Sequence, residues 1–445
     1  MRGLRPFLVL LVILIGLGAY LYVVESERTP GAADDRENVF TLEADGIDEI
    51  TIRSESREQT TLRRSGDDWQ VVEPVTAPAD PGEVSGLTSS LASLQIQRVL
   101  DEDVADFAEY GLDDPRIEVR FRSNGQDRRL SIGGKTPPGS DVYARIDDES
   151  RVVLIASYLD STFNRGTFDL RDKALVRVER EAVDSIDITA AGRTTQLVRT
   201  DGEWRLAAPL SAPADYGEVS GLVSRLMSAQ MRSTEDTPGE LRTYGLDRPA
   251  ATVRAAGGES PVVLALGSAS ATDQTIVYAT LEGRPDVFTV DASLLEALRR
   301  DPAEYRQKDL FDARAFNTSR IEVTRAGETT AFEKTRMKDP EGKDEERWRQ
   351  VAPAEADADG GKVDSLIFAA TGTRADSFVT DARQKAPATP EFLIVIKFDD
   401  GKREDRVSFW RSGDEAFASR ADAPGIARIS PATLDDITRA LEELP

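Results

Sequence analysis

Short runs that alternate apolar and polar residues recur at three places along the chain: Glu49-Ile-Thr-Ile-Arg53, Ser185-Ile-Asp-Ile-Thr189 and Arg320-Ile-Glu-Val-Thr324. A period of two places Ile and Val on one face, the pattern of a half-buried strand. Each run leads through a turn into a second polar–apolar run, then into a tryptophan that opens a third strand, as in Trp69-Gln-Val-Val. Beyond the tryptophan the period changes. Val84, Leu87, Leu91 and Leu94 recur at spacings of 3, 4 and 3, which predicts an amphipathic helix.

The same register appears three times. Counting from Trp69, Trp204 and Trp348, each copy has Pro at +5, Asp at +11, Val at +15 and Leu at +18, and the tryptophans are 135 and 144 residues apart. Internal repetition of this kind marks tandem structural units. Asp80, Asp215 and Asp359 fall at the helix N-cap, and Glu83 and Glu218 stand three residues later as capping-box-like partners. The third copy has Lys362 there instead, and Pro81 suits the first helical position. Tyr110-Gly111-Leu-Asp113-Asp-Pro115 and Tyr244-Gly245-Leu-Asp247-Arg-Pro249 read as loops, Gly allowing positive φ and Pro fixing the turn. Strands follow at Ile117-Glu-Val-Arg-Phe121 and, in the third copy, Glu391-Phe-Leu-Ile-Val-Ile-Lys-Phe398. The tryptophan is expected to plug one end of each local core and the aspartate to cap the helix. Trp69, Asp80, Glu83, Tyr110, Gly111, Pro115, Trp204, Asp215, Glu218, Tyr244, Gly245, Pro249, Trp348 and Asp359 are therefore structural positions rather than repeated binding sites.

About seven strands and two helices per copy predict an α+β fold: an N-terminal transmembrane helix followed by three tandem α+β repeats of about 135 residues. Leu170-Arg-Asp-Lys-Ala-Leu175 and Tyr305-Arg-Gln-Lys-Asp-Leu310 match each other and mark the joints. The expected organisation is residues 1–24 as cytoplasmic N-terminus and anchor, 25–38 as tether, and repeats at 39–175, 176–310 and 311–445, the last divergent.

The anchor rests on 18 residues without charge, Phe7 to Val24. At 1.5 Å per residue that is about 27 Å of helix, enough to cross a bilayer core of about 30 Å. Arg2 and Arg5 precede it and Glu25 and Glu27 follow it, so the positive-inside rule puts the N-terminus in the cytoplasm and the bulk outside. Gly18-Ala19 offers a poor cleavage site and the apolar run continues past it, which favours an uncleaved anchor over a signal peptide.

Composition removes whole classes of chemistry. The 445 residues include no cysteine and no histidine. Disulfides, thiol nucleophiles, Ser-His-Asp triads and His or Cys metal ligands are excluded, as is a lipidated N-terminal cysteine. The net charge of −24 repels nucleic acid and anionic headgroups. Glu355-Ala-Asp357-Ala-Asp359-Gly360 has the start of a calcium loop, but position 12 is Leu366, where a bidentate Glu is required, and the repeat register makes Asp359 a cap. Gly133-Gly134-Lys135-Thr136 fails the phosphate-loop spacing at Arg129, and Pro137 and Pro138 follow it. Asn317-Thr-Ser319 is a glycosylation sequon by pattern alone. Catalysis by a carboxylate pair needs only two of the 80 acidic residues, and nothing in the sequence singles out a pair. No cofactor, no metal and no enzymatic activity are expected.

These motifs resemble a bacterial repeat-containing family of unknown function that has one N-terminal membrane helix and is associated with ABC transporters of the gliding-motility type. The Trp…Pro…Pro-Ala-Asp, Tyr-Gly-Leu-Asp-x-Pro and Arg-Asp-Lys elements carry the resemblance, more strongly in the first two copies than in the third. It implies location in the bacterial inner membrane with a periplasmic bulk. It also implies transporter partners, a permease and an extracytoplasmic auxiliary subunit, and it transfers no catalytic residues. The expectation is a non-catalytic accessory or scaffold of a transport complex. Two alternatives stand beside it: a stand-alone cell-envelope module that binds glycan or protein, and a carboxylate-dependent hydrolase. Two buried carboxylates of raised pKa in a cleft would favour the hydrolase. An exposed aromatic strip would favour the glycan binder.

Overall fold

A computed structural model describes residues 38–137, 139–257, 260–338, 344–379 and 386–444. The apolar run Phe7–Val24 and nearly all of the tether lie outside these residues. Among the described residues no helix is long and apolar enough to cross a membrane. By compactness the chain divides into two units, the first ending at Asp172 and the second beginning at Lys173.

The first unit is built on one nine-stranded antiparallel sheet. Its strands are β1 Ile47–Arg53, β2 Gln59–Ser65, β3 Asp68–Glu73, β4 Ala77–Pro78, β5 Arg98–Asp101, β6 Ile117–Ser123, β7 Gln126–Lys135, β8 Asp141–Ile146 and β9 Val152–Ala156. Their spatial order is β4-β3-β2-β1-β6-β7-β8-β9-β5. Two four-strand meanders thus meet at the central β1–β6 pair, where Ile50 faces Phe121 and Ile52 faces Val119. The helix Pro81–Ala92 carries the chain from β4 at one edge to β5 at the other. Its Val84, Leu87 and Leu91 join Ile50, Ile52, Leu62, Val119, Leu130 and Ile132 in one buried core. The alternation seen in the sequence is therefore the division between a helix-covered face and a solvated face.

The second unit holds two further nine-stranded sheets with the same strand order. Their connecting helices are Tyr216–Ser228 and Gly360–Thr371. In all three sheets the second strand has a register shift opposite the end of the tryptophan strand, at Thr61/Leu62, Gln196/Leu197 and Ala331/Phe332. The proline at Trp+5 follows a cis peptide bond in every copy, at Pro74, Pro209 and Pro353.

The α+β expectation is corrected by this topology: the chain is mostly β, and its three tandem repeats are nine-stranded antiparallel sheets. The strands that sequence periodicity does not reveal are short edge pieces. Ala77–Pro78 has two residues and reads as the approach to a helix cap, yet it pairs with Gln70 and Val71. Arg98–Asp101 has no buried residue and so no alternation to detect, yet it closes the sheet against β9.

Close backbone approach explains two glycines. The Tyr-Gly-Leu-Asp loop lies against a bulge in the strand equivalent to β7, which shifts register between Ile132 and Lys135 and between Leu266 and Ala269. A Cβ on Gly133 would sit 2.2 Å from the Tyr110 carbonyl oxygen, and one on Gly267 would sit 2.1 Å from that of Tyr244. Gly133→Ala should therefore destabilise the first unit by about 1–3 kcal/mol, as overpacking against backbone does. Gly86→Ala is the control. Gly86 lies inside the Pro81–Ala92 helix, where an added Cβ meets nothing within 4 Å, so this change should stabilise by about 0.5–1 kcal/mol. Urea unfolding followed by the fluorescence of Trp69 checks both, and equal effects of the same sign would refute the packing argument.

Candidate functional site

The recurring residues occupy equivalent places. Trp69, Trp204 and Trp348 pair across the sheet with Arg64, Arg199 and Lys334. The cation lies over the indole at 5.4, 5.7 and 5.1 Å in turn. Trp204 and Trp348 are buried, whereas Trp69 is half-buried against its core. Asp80 accepts from the N–H groups of Gly82 and Glu83 at 2.8 and 3.0 Å, Asp215 from Glu218 at 3.1 Å, and Asp359 from Gly361 and Lys362 at 3.0 and 3.3 Å. Glu83 and Glu218 reach a different partner from the one a capping box uses. Glu83 pairs with Arg165 at 3.3 Å and Glu218 with Arg300 at 2.8 Å, tying the helix start to the end of its own repeat. Lys362 preserves the tie with reversed polarity by donating to the Glu443 carbonyl at 2.9 Å.

Tyr110 and Tyr244 end short 3₁₀ turns, and Gly111 and Gly245 follow in the left-handed conformation. The tyrosine rings pack edge-on against Tyr143 and Tyr278 at 5.2 and 5.0 Å. Pro115 is buried and Pro249 exposed. Arg116, the next residue after Pro115, binds Asp160 and Glu55, each at 3.0 Å, and Lys135 binds Asp160 at 3.1 Å. The Gly133–Thr136 stretch is thus engaged within the fold. In the calcium-like run, Glu355 and Asp357 are exposed and lie 3.8 Å from Arg349, while Asp359 serves as the helix cap. On the solvated face of the first sheet a groove of about 410 Å³ is lined by Glu49, Arg120, Arg122, Asp127, Arg128 and Asp147, among others. Its charges pair with each other, Arg122 with Asp127 at 3.0 Å and Arg128 with Asp147 at 2.8 Å.

The most unusual chemistry is in the second unit, at the seam between its two sheets. The segment Tyr305–Leu310 runs extended through it. Gln307 donates to Pro213 of the second repeat, and Leu310 donates to Thr373 of the third. Arg306 is 4% exposed. Its guanidinium lies 3.5 Å from the ring centroid of Phe378, and Nη2 donates to the Pro424 carbonyl at 2.6 Å. Nε has no partner, and burial pulls the group down to about 10, still charged at neutral pH. Arg306 lines a small pocket of about 30 Å³ and a larger cavity of about 550 Å³.

Beside it stands a buried ion network. The Arg420 side chain, 9% exposed, lies 2.9 Å from Asp312 and 3.1 Å from Asp405, and the Asp405 side chain is 1% exposed. The other Asp405 oxygen accepts from the backbone N–H groups of Asp312 and Ala313 at 2.7 and 2.8 Å. Burial raises the Asp405 carboxyl above its ordinary range, while the hydrogen bond from Arg420 lowers that of Asp312. Divergent carboxyls can mark an acid–base pair. Here, however, both oxygens of Asp405 are committed, and the adjoining pocket holds about one water. The arrangement fixes the Asp312–Ala313 turn.

Sequence reasoning missed Arg306, Phe378, Asp405 and Arg420. Arg306 recurs as Arg171 in the joint motif, where it served only as a boundary marker. Asp405 had a local signal: it shares the inward face of Arg403–Ser412 with Val407 and Phe409, where a carboxylate is out of place. At the strand position paired with Leu130 and Leu264 stand Ile146 and Leu281, but opposite Val407 stands Arg420. The network is a property of the third repeat.

Residues 69–203 and 204–391 match the family described as Domain of unknown function (DUF4340), and the chain belongs to that family. No curated protein and no solved structure matches it.

Removing Arg420 would leave Asp405 buried without its cation. Arg420→Met should cost about 3–5 kcal/mol. Arg420 lowers both carboxyls, so without it the Asp405 carboxyl, already raised by burial, rises further. A carboxyl raised by folding loses stability as pH rises through its folded value, so the cost should be larger at about pH 8 than at about pH 5. Denaturant melts of the second unit at both pH values check the prediction, and a pH-independent loss would contradict it.

Proposed function

We propose that this DUF4340-family protein is a non-catalytic scaffold, held at a bacterial inner membrane by the apolar run Phe7–Val24, whose sheet repeats work outside the cytoplasm by contact with the subunits of an ABC-type transport complex. One observation carries the reading: the residues that recur between copies are used for the fold. The tryptophans pack at the start of the third strand, the aspartates cap helices, and the Tyr-Gly loops seat on glycine bulges. A module copied for its architecture supplies surface, and the surface is the part left free to differ between copies. Arg2 and Arg5 before the apolar run, with Glu25 and Glu27 after it, support the orientation. The net charge of −24 favours a protein partner over anionic headgroups.

Two measurements test it. A reporter active only outside the cytoplasm, fused after Pro445, should be active. From mild detergent the protein should co-purify with a transporter permease, and loss of the apolar run or of residues 40–175 should break that association. Crosslinking in intact cells that captured only cell-wall glycan would replace this reading with an envelope-binding module.

A further inference from the structure

We propose that the outer edge of the third sheet, at Ala356–Asp357, is a docking site for a basic peptide, which adds to it as an extended antiparallel strand. The inference rests on the contact role proposed above and names where a partner attaches.

The first two repeats show what this edge accepts. Ala79 pairs with Arg171, and Ala214 with Arg306, both antiparallel. The same two bonds form each time. Asp80 and Asp215 donate to the carbonyls of Leu170 and Tyr305, and the carbonyls of Pro78 and Pro213 accept from Asp172 and Gln307 at 2.9 Å. An edge strand of only two residues is thus covered twice by an extended segment. In the third sheet Ala356–Asp357 pairs with Gln350 and Arg349 on its inner side. Among the described residues no backbone group covers its outer side. Ala356 and Asp359 are exposed, whereas their counterparts Ala77 and Ala212 are buried and Asp80 and Asp215 half-buried.

Strand alternation directs the N–H and C=O of Asp357 and the N–H of Asp359 outward, as it does for the equivalent groups of the covered edges. Where those edges have Pro78 and Pro213, which lack an N–H, the third has Asp357. It therefore offers one donor more than the two edges that are already paired. An open row of such groups is a template for a further strand.

Charge selects the occupant. The Glu355 and Asp357 side chains are 77% and 98% exposed, and Arg349 comes no closer than 3.8 Å to either. They share one face of the strand with Asp359. Two copies joined edge to edge would set these carboxylates against each other, which is destabilising. An incoming strand with lysine or arginine at alternate positions would place cations beside them.

The test uses the full-length protein in nanodiscs of zwitterionic lipid and a blocked heptapeptide that alternates lysine with valine. Binding is followed by fluorescence anisotropy of the labelled peptide and mapped by hydrogen exchange. Protection is expected at residues 356–359 and not at 77–80 or 212–215. Replacing the lysines with glutamate should abolish binding. Asp357→Pro installs the residue that the other two edges carry, so the fold should tolerate it; it should weaken binding about threefold to tenfold, the range of one net hydrogen bond. Asp357→Asn keeps the N–H and should weaken binding less than Asp357→Pro. Absence of binding, equal binding of the glutamate peptide, protection elsewhere, or an unchanged affinity in Asp357→Pro would each overturn the proposal. So would residues 356–359 already protected in the free protein, because another stretch of this chain or a second copy would then hold the edge. None of these outcomes bears on co-purification with a permease, so the docking site can fail while the scaffold reading stands.

Discussion

At one aspartate in each of the first two repeats the chain meets two demands at once. The side chains of Asp80 and Asp215 cap the helix that crosses from one edge of the sheet to the other. Their backbone N–H groups meanwhile hold the far end of the same repeat, donating to Leu170 at 2.9 Å and Tyr305 at 2.8 Å. The helix start, the last element and the departing linker are thereby fixed to one residue. Edge strands as short as Ala77–Pro78 can persist because both of their neighbours are tied to this point: Ala79 donates to Trp69 and Asp172 donates to Pro78. Without that closure the helix would cover a sheet whose two ends were free to part, and the apolar face between them would be wetted.

The third repeat shows which parts of the design can be exchanged. The acid at the helix start becomes Lys362, and its partner changes from an arginine side chain to the Glu443 carbonyl. The Tyr-Gly-Leu-Asp loop is absent, and where the first two sheets have Gly133 and Gly267 beneath that loop, the aligned position is Trp410. Trp410 stacks on Phe417 at 5.9 Å and packs with Ile426 and Val379 in a small separate core. A glycine that accepts a loop and a tryptophan that fills the space without one are two solutions to the same packing problem. The paired register continues unbroken through Trp410, without the bulge that the glycines permit.

What could be read from the sequence follows from how local each interaction is. The aspartate caps, the helix face of Val84, Leu87 and Leu91, and the left-handed Gly111 and Gly245 are decided within a few residues, and their signals survive in a linear pattern. The size of the sheets was not legible. Their outer strands have two to four residues and are held by pairing rather than by periodicity, so the balance between helix and strand was misjudged. The seam residues were invisible for another reason. Arg306 meets Phe378 and Pro424 across 72 and 118 positions of chain, and neither partner carries a motif. A buried arginine is recognised by what surrounds it, and its surroundings are assembled only by the fold.

The two family matches begin at Trp69 and Trp204, the first residues of the repeating phrase, but each tryptophan lies at the start of the third strand of its sheet. The phrase that recurs in the letters is out of phase with the body that folds. A segment cut from one tryptophan to the next would contain most of one sheet and the first strands of another. Its central strand pair would be lost: Val119 and Phe121 would face empty positions where Ile52 and Ile50 belong. Any gene rearrangement that shuffled these repeats as viable pieces must therefore have broken the chain elsewhere, near the linkers at Arg171–Lys173 and Arg306–Lys308, where one sheet has finished and the next has not begun.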